Sequence, residues 1–148
     1  MKIRAITLVF ALAVPTCIFA ANPAKPGKWE VTTEVDMPGM PTKPQPMTHT
    51  ICISKDDLEK NPEATIPKPR SRRTGEERND CKVSDYKINE NTVTWNLKCE
   101  GGQNPVSGSG KIKYTADSYD GTMEMKIGDR EMKVVYKGKW ISAECDKK

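Results

Sequence analysis

Residues 81–99 constrain the fold most, because an alternation of apolar and polar side chains and a pair of cysteines must be satisfied by one register. Folding this stretch about a tight turn at Glu90-Asn91 sets Ile88 opposite Val93 and Tyr86 opposite Trp95, all on one face. Further from the turn, Val83 and Cys81 fall out of phase. One extra residue near Ser84 and Asp85, a β-bulge, restores the face and sets Val83 opposite Leu97 and Cys81 opposite Cys99. A single assumption thus accounts for both the hydrophobic phase and a disulfide.

A disulfide needs an oxidising compartment, and the N-terminus reads as the route to one. Lys2 and Arg4 precede an apolar run from Ala5 to Val14, followed by Pro15 and a small-residue exit at Ala20 and Ala21, the layout of a signal peptide. The run is roughly half of what a helix needs to cross ~30 Å of hydrocarbon, so no retained membrane anchor is expected. Val14, Pro15 and Thr16 also suit acylation of Cys17 poorly. The expected division is a signal peptide over residues 1–20 and a single periplasmic or secreted domain over 21–148, with cleavage after Ala20 or Ala21. Cleavage removes Cys17 and leaves Cys52, Cys81, Cys99 and Cys145, so pairing Cys81 with Cys99 assigns Cys52 to Cys145. The spacings of 29, 18 and 46 residues contain no close pair of the kind zinc sites use. The mature part has 22 basic residues against 20 acidic ones, a balance that calls for neither nucleic acid nor an anionic membrane.

Elsewhere the chain repeats the hairpin logic. Trp29, Val31, Thr33, Val35 and Met37 share one face of a strand, and alternation returns at Met47, His49, Ile51 and Ile53 after a loop holding Pro38, Pro41, Pro44 and Pro46. Ser54 followed by Asp57 caps a short helix over Lys55–Lys60. Residues 61–80 hold three prolines, several charges and few apolar side chains, and read as a long mobile surface loop. Turns at Ala116-Asp117 and Gly128-Asp129 set Gly110 against Met123, Gly108 against Met125, Gly121 against Tyr136 and Gly138 against Tyr119. Small residues facing large ones on a buried face imply strong curvature. The expected fold is all-β: an antiparallel up-and-down meander of about seven strands, curled into a small open or closed barrel, with one short helix and two disulfides. A two-sheet sandwich is the alternative.

These residues carry a resemblance. Pro26-Gly27-Lys28-Trp29-Glu30-Val31, the Met37-Pro38-Gly39-Met40-Pro41 loop, Cys81-Lys82-Val83-Ser84-Asp85-Tyr86, Gly108-Ser109-Gly110, Tyr119-Asp120-Gly121 and the terminal Cys145 are together similar to the bacterial exported domain-of-unknown-function family 3617. The resemblance implies a Gram-negative periplasmic protein and carries over no activity. The charged stretch Arg70–Arg78 departs from the family pattern, so it receives no family-wide role.

No catalytic constellation stands out. The chain has one histidine, His49, and lacks the nucleophile-elbow, zincin and phosphate-loop patterns. Asp56 and Asp57 read as the first turn of a capped helix, where acids complement the dipole. The basic residues Lys68, Arg70, Arg72 and Arg73 are partly cancelled by Glu76, Glu77 and Asp80, and read as a solvated loop. The expectation is a non-enzymatic binding or structural domain with no cofactor. Its partner would be a small apolar ligand or another envelope protein. Such a ligand would be lined by Trp29, Trp95, Tyr119, Met123, Met125 and Tyr136, if these do not simply fill the interior. The alternative is a Cu(I) site from Met37, Met40, Met47 and His49, whose soft thioethers and imidazole cluster at the proline-rich loop. Against it, Met37 and Met47 at strand ends also read as core filling.

Overall fold

A computed structural model describes residues 22–69, 78, 80–101 and 105–145, so the expected signal peptide lies outside the described residues. The strands are β1 (Gly27–Asp36), β2 (Met47–Ile53), β3 (Cys81–Asn89), β4 (Thr92–Cys99), β5 (Val106–Tyr114), β6 (Ser118–Ile127) and β7 (Arg130–Ser142). They form one antiparallel sheet in the order β2-β1-β7-β6-β5-β4-β3. That is the neighbour order of an up-and-down barrel cut open between β2 and β3. The sheet is not closed, and those two strands are its edges.

The β3–β4 hairpin has the register that its alternation demands. Ile88 pairs with Val93, Val83 with Leu97 and Cys81 with Cys99, and the register shifts between Ser84 and Lys87. Asp85 and Tyr86 together span the one position of Trp95. Asp85 takes φ 52°, a left-handed value that aspartate tolerates better than most residues, and Glu90 takes φ 53° in the turn. Both disulfides form, with Cα–Cα distances of 3.9 Å for Cys81–Cys99 and 5.7 Å for Cys52–Cys145.

The glycine registers hold as well: Gly110 with Met123, Gly108 with Met125, Gly121 with Tyr136 and Gly138 with Tyr119. A Cβ added at Gly110 would fall inside the Trp95 indole, and one at Gly138 inside the Tyr119 ring. Removing those side chains lets large neighbours lie over the sheet and lets the sheet curl. Trp29 on β1 and Tyr114 on β5 are three strand spacings apart, about 14 Å in a flat sheet. Their rings nevertheless approach to 6.3 Å between centroids in an edge-on contact, which requires the curl.

Helix α1 (Lys55–Lys60) follows β2. The Ser54 hydroxyl accepts from the Asp57 N–H at 3.0 Å while the Asp57 carboxylate accepts from the Ser54 N–H at 3.2 Å, a reciprocal cap. The described residues between 61 and 80 hold more structure than a bare loop. A 3₁₀ turn over Pro62–Thr65 delivers Ile66 into the core, 4% exposed. The Arg78 N–H donates to the Pro69 carbonyl at 3.0 Å, and its guanidinium donates to Asp80 and to the Gly101 carbonyl. Ile66 stands alone among prolines and charges, so no periodicity announces its burial. Residues 70–77 and 79 lie outside the described residues.

Candidate functional site at the open seam

β1 pairs with β2 from Gly27↔Ile53 to Thr33↔Met47. Trp29 and Val31 point inward and are 0% and 3% exposed. Directly opposed residues share a face, so Ile51, His49 and Met47 also belong to the inner surface. Among the described residues, no strand continues the sheet beyond β2, and none covers its inner surface there. Met47 is 63% exposed, His49 is exposed and Ile51 half-buried. In the connection that follows β1, Met37 is half-buried, Met40 is 46% exposed, and the Met40 N–H donates to the Met37 carbonyl at 3.3 Å.

The four candidate copper ligands thus fall into two pairs. Met37 and Met40 share one turn, while Met47 and His49 share one face of one strand. Among the described residues, no three His, Cys, Asp or Glu side chains are grouped to hold a metal, so a metal here would depend on the thioethers.

The six candidate cavity residues lie in the interior. Trp29 and Met123 are 0% exposed, and Trp95, Tyr119, Met125 and Tyr136 are all buried. Trp29 and Tyr119 have centroids 5.4 Å apart, and the Tyr136 hydroxyl donates to the Met123 sulfur at 3.8 Å. Burial pushes the Tyr136 phenol up to about 12, and pushes Tyr114 and Tyr119 up as well. One polar atom stands out: the Trp95 Nε1–H is buried with no acceptor among the described residues.

The opposite lip of the seam is β3, where Val83, Tyr86 and Ile88 are half-buried against the core. The Asn22 side-chain amide donates to the Tyr86 hydroxyl at 3.2 Å, carrying the segment before β1 across to β3. The N–H groups of the Trp29 and Trp140 indoles donate to the carbonyls of Lys25 and Pro26, at 2.8 and 3.1 Å, and hold that segment down.

Two depressions lie elsewhere. One, about 520 Å³ and open to solvent, is on the outer face of β3–β6 and is lined in part by Asp85, Lys87, Asn96, Ser109, Lys111 and Glu124. The other, about 330 Å³, lies between Asn61, Glu63 and Lys68 and the start of β3. Neither is apparent in the sequence, since each gathers polar side chains from strands whose spacing in the chain carries no motif. The bulge at Asp85 was the available signal for the first, because it redirects that side chain toward Asn96, whose amide donates to the Asp85 carboxylate at 2.8 Å.

Of the acids considered for catalysis, Asp57 is committed to the helix cap, where the Ser54 hydroxyl and N–H hold its carboxyl below the usual range. Asp56 pairs with Lys60 at 2.8 Å on an exposed helix face. Lys68 is half-buried, while Arg70, Arg72 and Arg73 lie outside the described residues.

No curated protein and no solved structure matches the chain. Over residues 24–145, from buried Ala24 to the disulfide-bonded Cys145, the chain matches the family described as Protein of unknown function (DUF3617), and it belongs to that family.

Proposed function

We propose that this chain is exported to the periplasm and works there as a non-enzymatic binding domain that takes a small apolar ligand at the seam between β2 and β3. The observation that carries this reading is the inner face of β2 that no described strand covers, with Met47 63% exposed where a closed barrel would bury it. Exposed thioethers adapt their shape to a ligand at little cost, and apolar surface left in water gains about 25 cal/mol for every Å² covered. Both disulfides suit an oxidising compartment.

The test uses protein purified from the periplasm after expression of the full chain, titrated with the neutral fluorophore N-phenyl-1-naphthylamine. Saturable enhancement of emission, weakened at least ~10-fold by M47E, is expected, since every 1.4 kcal/mol is tenfold in affinity. Absence of saturation, or equal affinity in M47E, would remove the reading.

A second reading rests on the turn that pairs Met37 with Met40 beside the strand that carries Met47 and His49. Three thioethers and a neutral imidazole favour Cu(I) over harder ions. Titration with Cu(I) against a chelator, with M40L/H49A as control, distinguishes it. Selective loss of Cu(I) binding in the variant is expected, and equal binding by both proteins would remove this reading.

A further inference from the structure

Elsewhere on the outer face, charged side chains neutralise one another: Lys98 meets Glu100 at 3.1 Å, and Lys137 meets Glu34 at 3.5 Å. Around the depression of about 520 Å³ that β3–β6 share, the charges stay apart. Lys87, Lys111 and Glu124 are exposed along its lining and form no ion pair among the described residues. Two rows of the register set their places. In one row Lys87 and Lys111 flank Thr94, two strand spacings or about 10 Å from each other. In the other, Asn96, Ser109 and Glu124 follow one another across β4, β5 and β6. The bulge brings the Asp85 carboxylate to the Asn96 amide at 2.8 Å, so this second row has a carboxylate at each end with Ser109 between. Thr94 and Ser109, short side chains in the middle of the two rows, leave the hollow that longer ones would fill.

We propose that this depression binds a short zwitterionic peptide, a dipeptide at its smallest, with its α-carboxylate between Lys87 and Lys111 and its α-ammonium between Asp85 and Glu124. The two rows lie two residues apart along β4, a step of about 6.7 Å. An extended dipeptide spans about 6.6–7.2 Å from end to end, so its charged termini match the spacing of the rows. Hydroxyls of Thr94 and Ser109 and the amide of Asn96 stand along the path between the two charges, where they can donate to and accept from the peptide group. A simple anion would gain at the lysines and lose at the carboxylates, and a simple cation the reverse, so the array favours a ligand that carries both signs. An apolar ligand gains nothing from such a lining, which makes this site independent of the one at the seam.

The experiment is calorimetric titration of protein purified from the periplasm with L-alanyl-L-alanine, in low salt so that exposed charges are little screened. Saturable binding with a dissociation constant below ~1 mM is expected. N-acetyl-L-alanyl-L-alanine lacks the ammonium and L-alanyl-L-alanine amide lacks the carboxylate, and each is expected to bind at least ~10-fold more weakly. The variant K87Q/K111Q is expected to lose at least ~10-fold in affinity for the free dipeptide, and E124Q at least ~3-fold. All three side chains are exposed, so melting temperatures equal to that of wild type are expected and check the fold. No saturation by ~10 mM would overturn the proposal. Blocked peptides that bind as tightly as the free one would overturn it too, by taking the charges out of recognition. So would a folded K87Q/K111Q with wild-type affinity, by placing the site elsewhere. None of these readouts depends on Met47 or on a ligand at the seam.

Discussion

Gly110 lies directly across from Trp95, with the six-membered ring of the indole occupying the space where a Cβ would stand. Trp95 is 2% exposed and packed on its other sides, so the ring has little room to retreat. G110A is therefore expected to destabilise the domain by about 1–3 kcal/mol, the ordinary cost of overpacking. Urea unfolding followed by tryptophan fluorescence checks it, and an unchanged midpoint would mean that Trp95 shifts without cost.

Ile66 is the one described core side chain supplied by the segment between α1 and β3. Truncating it should leave a cavity beneath the 3₁₀ turn. I66A is expected to cost about 2–4 kcal/mol, against less than ~0.5 for K68A two residues on. Equal effects of the two would show that the turn contributes no core.

The Asp80 carboxyl is held down to about 2, chiefly by the Arg78 guanidinium, and its Oδ2 also accepts the Gly101 N–H at 2.7 Å. A carboxylate depressed in the fold stabilises fully above its unfolded value near 3.9, and that contribution is lost as pH falls toward 2. Between pH 5 and about 2 the wild type should thus lose melting temperature faster than D80N, which carries no charge to lose. Parallel curves would show that the Arg78–Asp80–Gly101 contact contributes nothing to acid stability.

Mass mapping of unreduced, exported protein should find the peptides that join Cys52 to Cys145 and Cys81 to Cys99. It should also find an N-terminus at Ala21 or Asn22. In the loop-entropy account the 93-residue bridge contributes about 4–5 kcal/mol, so C52A/C145A is expected to melt far below wild type. A mature N-terminus at Met1 would contradict export.

What was legible in the sequence was local. The β3–β4, β5–β6 and β6–β7 hairpins each join neighbours across a short turn, so alternation on the two arms determines the register, and the misfit at Asp85 could be seen because it threw Val83 and Cys81 out of phase. The alternation of β1 and β2 was equally clear, but not where they dock. Trp29 pairs with Trp140 across most of the chain, and the pattern of neither strand says that a seam would open on the far side of β2. The exposure of Met47 follows from that seam. The same methionine reads as core if β2 has a neighbour and as surface if it has none. Ile66 and Arg78 were hidden for a related reason: one apolar residue and one ion pair have no period.

The place of β1 between β2 and β7 also sets a timetable. A chain delivered N-terminus first can close the β1–β2 hairpin early, but the strand that β1 leans on is the last to arrive, and the Trp140 indole binds Pro26 from 114 residues away. Until β7 emerges, the hairpin has two open edges instead of one, and Trp29 has no core to enter. Aggregation is most probable in that interval, since unpaired strands and exposed aromatics are what collapsing chains recruit. Truncations that stop short of Trp140 should accumulate as insoluble material, whereas those that remove only the residues after Cys145 should fold.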